Sequence, residues 1–129
     1  MKMMSGLLVA GLLLAASQAL AAEPITGATL AEQCPAALER LDGQATAPDA
    51  AMAAAFCLAY LAGIQHLHQL ATDSGFPPLF CVPEGIDISH VVRVVVSALR
   101  EHPESHRLAG VVVVTEALKT AYPCKATTP

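Results

Sequence analysis

The sequence predicts an all-α domain, a compact bundle of about four helices cross-linked by two disulfides. Three observations carry this. Apolar residues recur at three- and four-residue spacings over several segments. Prolines and glycines fall between those segments, where they act as breakers. Four cysteines, Cys34, Cys57, Cys81 and Cys124, follow an N-terminal stretch of export type, and an even count in a short exported chain reads as disulfides.

The export reading covers residues 1–22. Lys2 forms a positive n-region, residues 6–16 an apolar core, and Ala19-Leu20-Ala21 a small-x-small cleavage motif. The apolar run is shorter than the ~20 residues that span a bilayer. Residues 23–129, about 107 in all, form one domain whose modest core gains from covalent staples. Removing Lys2 takes the formal net charge from −4 to −5, which argues against nucleic acid because phosphate contacts need a basic face.

Residues 23–27 read as a flexible lead-in. Thr29-Leu30-Ala31-Glu32 matches a capping box, but Pro35 falls in what would be the second turn, so the helix starts at Pro35 or breaks there. Asp42-Gly43 stops it. Asp49 is the expected N-cap of a second, central helix running to about Ala71, with Met52, Phe56, Tyr60, Gly63, Leu67 and Leu70 at helical spacing. Residues 50–64 are apolar almost all round, which predicts burial on several sides, yet they are too few for a membrane span. Ala59, Ala62 and Gly63 would let a neighbouring helix approach closely.

Asp73-Ser74-Gly75 ends that helix, and three prolines in residues 76–85 predict an extended connection carrying Cys81. Residues 88–100 are valine-rich and strand-like in propensity, but His90, Arg93, Ser97 and Arg100 recur at helical spacing, so periodicity predicts a helix capped by Asp87. Pro103 breaks it and opens a last helix with Leu108, Val111, Val112, Thr115, Leu118 and Tyr122 as its apolar stripe and Glu116, Lys119 and Thr120 opposite. Tyr122-Pro123-Cys124 ends it.

Four cysteines allow three pairings. The fourteen residues from Cys57 to the helix end cover about 21 Å, and the loop to Cys81 can reach back over that distance. Geometry therefore favours Cys57 with Cys81 and Cys34 with Cys124; Cys34 with Cys57 and Cys81 with Cys124 is the alternative.

His66, His68, His90, His102 and His106 raise the question of zinc. Pro103 interrupts the helix that would align His102 with His106, and His66 and His68 leave a helix in different directions, so solvated or capping roles are the better reading and no metal is expected. The serines Ser74, Ser89, Ser97 and Ser105 lie in no nucleophile elbow or triad context, and no cofactor motif occurs; the expectation is a protein without enzymatic activity or cofactor. What remains is surface. The Arg93, Ser97, Arg100 face and the Glu101-His102-Pro103-Glu104-Ser105-His106-Arg107 corner present charges and imidazoles on a stiff, exposed turn of the kind used for binding. Arg93, Arg100, Glu101, His102, Glu104, His106 and Arg107 are the candidate partner-binding residues.

Several segments in order, Phe56-Cys57-Leu58-Ala59-Tyr60-Leu61-Ala62-Gly63, Phe80-Cys81-Val82-Pro83-Glu84-Gly85, Val92-Arg93-Val94-Val95-Val96 leading to Glu101-His102-Pro103-Glu104, and Ala117-Leu118 with Ala121-Tyr122-Pro123-Cys124, resemble the Rap/Tai family of type VI secretion amidase immunity proteins. The resemblance implies a small helical, disulfide-bonded periplasmic protein that binds and blocks a cell-wall-degrading amidase toxin, acting as a homodimer that plugs the toxin's substrate groove. The negative charge and the cleavable signal already lead to the expectation of no nucleic-acid partner and no membrane association once the signal is cleaved. Tyr60 and Gly63 match the family's packing positions, and Arg93 and His102-Pro103-Glu104 its third-helix arginine and its corner. Ala59 departs from a usual glycine and Tyr122 from a common phenylalanine. The alternatives are an acid-stress chaperone of the Hde type, which would unfold and bind clients at low pH, and a small metal-binding protein.

Overall fold

The computed structural model describes residues 22–45 and 47–125. The export segment lies outside the described residues except for Ala22. Within them the chain forms four α-helices: α1 Gly27–Leu41, α2 Pro48–Asp73, α3 Ile88–Glu101 and α4 Gly110–Ala121, with a 3₁₀ helix at Pro103–Arg107 between the last two. The predicted all-α bundle with two disulfides is the observed architecture.

The lead-in is not loose. Thr26 pairs with Ala109 in an isolated antiparallel bridge, Gly27 N–H donates to the Leu108 carbonyl at 2.9 Å, and Gly110 N–H donates to Ile25 at 2.8 Å. That pinning moves the start of α1 ahead of the expected capping box. Thr26 is the N-cap, and it and Thr29 bond each other's backbone N–H reciprocally at 3.3 Å. Pro35 neither begins nor breaks the helix but sits inside it. A proline there removes a backbone donor and costs about 3 kcal/mol, offset by the full burial of Leu30, Cys34 and Ala37 on the same helix.

α1, not α2, is the central helix. It packs against α2, α3, the 3₁₀ helix and α4, while α2 rests mainly on α1. Of α2's residues only Ala54, Cys57 and Leu61 are buried, Phe56 and Tyr60 are half-buried, and Gly63 is exposed. Met52, Leu67 and Leu70, placed on the core stripe from spacing, are 73%, 66% and 62% exposed. An almost uniformly apolar helix carries no directional signal, so its inner face is chosen by the neighbour that the disulfide brings to it. Its N-cap is Ala47, with Pro48 opening the first turn and Asp49 inside it. At 26 residues α2 is long and apolar enough to cross a membrane by length and composition. Its inner face is instead bonded to α1, and its second half carries Gln65, His66, His68 and Gln69.

The disulfides are Cys34–Cys57 and Cys81–Cys124, with Cα separations of 5.1 and 4.9 Å. This is the alternative pairing, and it overturns the one favoured from chain reach. α1 and α2 are neighbours that face each other at their midpoints, so Cys34 and Cys57 meet in the core. The proline-rich loop can reach Cys57 but is anchored earlier: Phe80 stacks on His68 at 3.9 Å between ring centroids, and Leu79 N–H donates to His68 Nε2 at 3.0 Å. His68 lies eleven residues, about 16 Å of helix, beyond Cys57. Cys81 then donates its N–H to the Tyr122 carbonyl at 2.8 Å, beside Cys124.

α3 matches its prediction. The Asp87 side chain accepts from Ser89 N–H at 2.8 Å. Val91, Val92, Val95, Val96 and Leu99 are buried while His90, Arg93, Ser97 and Arg100 face outward. The last helix starts later than expected. Pro103 opens a separate 3₁₀ turn, Ala109 takes extended geometry to pair with Thr26, and α4 begins at Gly110 in a new register. Its buried stripe is Val113, Val114, Ala117 and Leu118, whereas Leu108, Val111 and Val112 of the predicted stripe are about half exposed. Glu116, Lys119 and Thr120 are exposed as expected.

Candidate functional site

The corner between α3 and α4 is built from behind. Gly27 is buried under it, so close that a Cβ there would come within 2.5 Å of the Ser105 carbonyl oxygen and 2.9 Å of His106 Cα. From above, His106 Nε2 meets the Leu99 carbonyl at 2.9 Å, which requires the proton on Nε2 and satisfies an orphan carbonyl at the end of α3. Ser105 bonds the His102 carbonyl through both its N–H, at 2.9 Å, and its Oγ, at 2.7 Å. These bonds make the 3₁₀ turn a rigid shelf and use two of its four polar side chains, Ser105 and His106, as structural ties.

The seven predicted residues do not form one surface. Arg93, about half exposed, pairs within the chain with the Asp42 carboxylate at the C-cap of α1. Arg100 and His106 line a notch of about 230 Å³ between α1 and α3, walled by Pro35 and Pro103. Glu101, His102 and Glu104 point the other way, into a groove of about 480 Å³ between α3 and α4. Arg107 is exposed at the end of the 3₁₀ helix and lines neither.

In the groove, Glu101 accepts from Ser97 Oγ at 2.7 Å and Glu104 meets His102 Nδ1 at 3.1 Å. The Glu104 carboxyl is held below the usual range, first by its own backbone N–H and then by the His102 contact. The floor is apolar, from Val94, Ala98, Val113 and Ala117. α4 also supplies Val112 and Glu116, and Leu108 precedes it; sequence reasoning missed these because it assigned Leu108 and Val112 to the core. The two valines 111 and 112, set beside an already sufficient buried stripe at 113, 114, 117 and 118, are the signal that could have shown them.

Of the remaining histidines, His66 and His68 line one hollow between α2 and the proline-rich loop, and His90 lies away from them on α3. His68 carries the loop, His66 is exposed on α2, and His90 meets Asp87 at 3.3 Å at the start of α3. Among the described residues no three His, Cys, Asp or Glu side chains converge as metal ligands. The arrangement is one of fixed charges above an apolar floor, suited to gripping another surface.

No curated protein and no solved structure matches the chain. Residues 26–124, which take in all four helices, both disulfides and the whole corner, match the family of Rap1a immunity proteins, and the chain belongs to that family.

Proposed function

We propose that the protein is a periplasmic immunity protein that binds a cell-wall-degrading type VI secretion amidase effector and inhibits it by occluding its substrate groove. The observation that carries this reading is the family match across the whole helical domain. The corner suits the task physically: an inhibitor needs a surface whose shape is set before binding, and one held by Gly27, His106 and Ser105 loses little freedom on contact. Two disulfides fit an oxidising compartment, and the export motif of residues 1–22 supplies the route. The working form is a homodimer, a reading supported by the large exposed apolar side chains of α2.

The test is protection. An amidase effector directed to the periplasm lyses its host, and co-production of this protein restores growth and co-purifies with the effector. Growth that is not restored against any of a panel of type VI amidases, with no complex in pull-downs from the same cells, overturns the proposal.

A further inference from the structure

The groove between α3 and α4 is more specific than a rigid surface requires. Its lining contains three carboxylates, Glu101, Glu104 and Glu116, and no lysine or arginine. Glu104 meets His102, which also lines the groove, at 3.1 Å, and Glu116 lies 3.9 Å from Lys119, which does not line it. Arg100, adjacent to Glu101 in sequence, is turned to the opposite face. Beneath this acidic rim lie Val94, Ala98, Val113 and Ala117, and two large side chains, Leu108 and Val112, remain 49% and 45% exposed at the edges. Glu101 and Glu104 are already oriented by Ser97 and His102, so the rim is set before anything binds.

From this we infer that the groove seats a segment of the effector that presents an apolar side chain flanked by lysine or arginine, an assignment that rests on the immunity reading above. The apolar side chain covers the floor and the exposed faces of Leu108 and Val112. The flanking cations answer the carboxylates. A neutral or acidic segment would strip water from three carboxylates and leave them only the single contacts with Ser97, His102 and Lys119, which is costly. Acidic patches of this kind also speed encounter with a basic partner and make the association salt-dependent.

The probe is the peptide Lys-Lys-Leu-Phe-Lys-Lys, with Glu-Glu-Leu-Phe-Glu-Glu as control, titrated into the ¹⁵N-labelled chain freed of residues 1–22. The basic peptide is expected to shift the amides of Ala98, Leu108, Val112 and Glu116, and its affinity to fall as salt rises from about 0.05 to about 0.5 M. The triple substitution E101Q/E104Q/E116Q, confined to exposed side chains, is expected to weaken binding about tenfold or more, and Ala98→Trp, which fills the floor, to abolish it. Equal binding of the acidic control, undiminished binding by the triple variant, or shifts confined to α2 would each overturn the assignment. In cells, protection that survives the triple substitution overturns the groove while sparing the immunity reading. Failure of the unaltered protein to protect counts against the immunity reading and with it the effector as the source of the segment.

Discussion

Replacing Gly27 by alanine tests how the corner is held. Gly27 is the first residue of α1, and an alanine Cβ would lie 2.5 Å from the Ser105 carbonyl oxygen, 2.9 Å from His106 Cα and 3.1 Å from the Ser105 carbonyl carbon. All three atoms are backbone, so no side-chain rotation relieves the clash. Either α1 or the 3₁₀ turn must move, and moving either strains the Gly27 to Leu108 hydrogen bond. Overpacking of this kind costs about 1–3 kcal/mol, against at most ~1 kcal/mol gained from alanine's helix preference. The expected net loss is about 1–2 kcal/mol, or a fall in Tm of roughly 4–16 °C for a domain of this size. Gly110→Ala is the comparison: its Cβ would meet side-chain atoms of Tyr60, Ile25 and Leu30 at 2.9–3.2 Å, which can yield. The assay is urea unfolding of both variants, followed by circular dichroism, with amide exchange at Ser105 and Leu108 as a local readout. A Gly27→Ala protein as stable as the parent, or more stable than Gly110→Ala, would refute the claim that α1 and the corner are in backbone contact.

Other consequences are equally direct. On loop closure alone, removing Cys34–Cys57, with 23 residues of separation, should cost about 3.4 kcal/mol and removing Cys81–Cys124, with 43, about 4.0 kcal/mol, both upper values. Under graded dithiothreitol, mass-spectrometric labelling should find Cys81 and Cys124 first, because Cys34 and Cys57 are fully buried; the reverse order would contradict the packing. Asp87, whose carboxyl is lowered to about 2 chiefly by its bonds to Ser89, favours the folded state at pH values above its ordinary range and loses that contribution as pH falls from about 4 to about 2. The Tm difference between the parent and Asp87→Ala should therefore be constant above pH 4 and shrink towards pH 2, and a difference unchanged at pH 2 would refute the cap's role. Arg93→Ala breaks an exposed ion pair and should cost under about 1 kcal/mol without weakening effector binding; loss of binding would return Arg93 to the contact surface.

Legibility in the sequence followed the strength of local signals. α3 could be read because a polar cap and outward charges at helical spacing agree, which overrides valine's strand preference. The inner face of α2 could not, because a helix apolar on every side points nowhere. The corner was visible as a proline-broken cluster of charge and imidazole. Its division into an acidic groove and an Arg100–His106 notch was not, since that depends on which helices lie to either side of α3.

By itself, then, the sequence determined the helical class, the breakers between elements, the presence of two disulfides and the family motifs, all properties of residue type and short-range spacing. The tertiary structure alone decided that α1 is central, that Cys34 meets Cys57, that the lead-in is pinned under the corner, and that Leu108 and Val112 are left exposed beside three carboxylates. Each of these depends on contacts between residues far apart in the chain. Local spacing leaves them open because several packings would satisfy the same helices, and the choice among them is made by close backbone approaches such as Gly27 on Ser105 and by the loop's anchorage on His68.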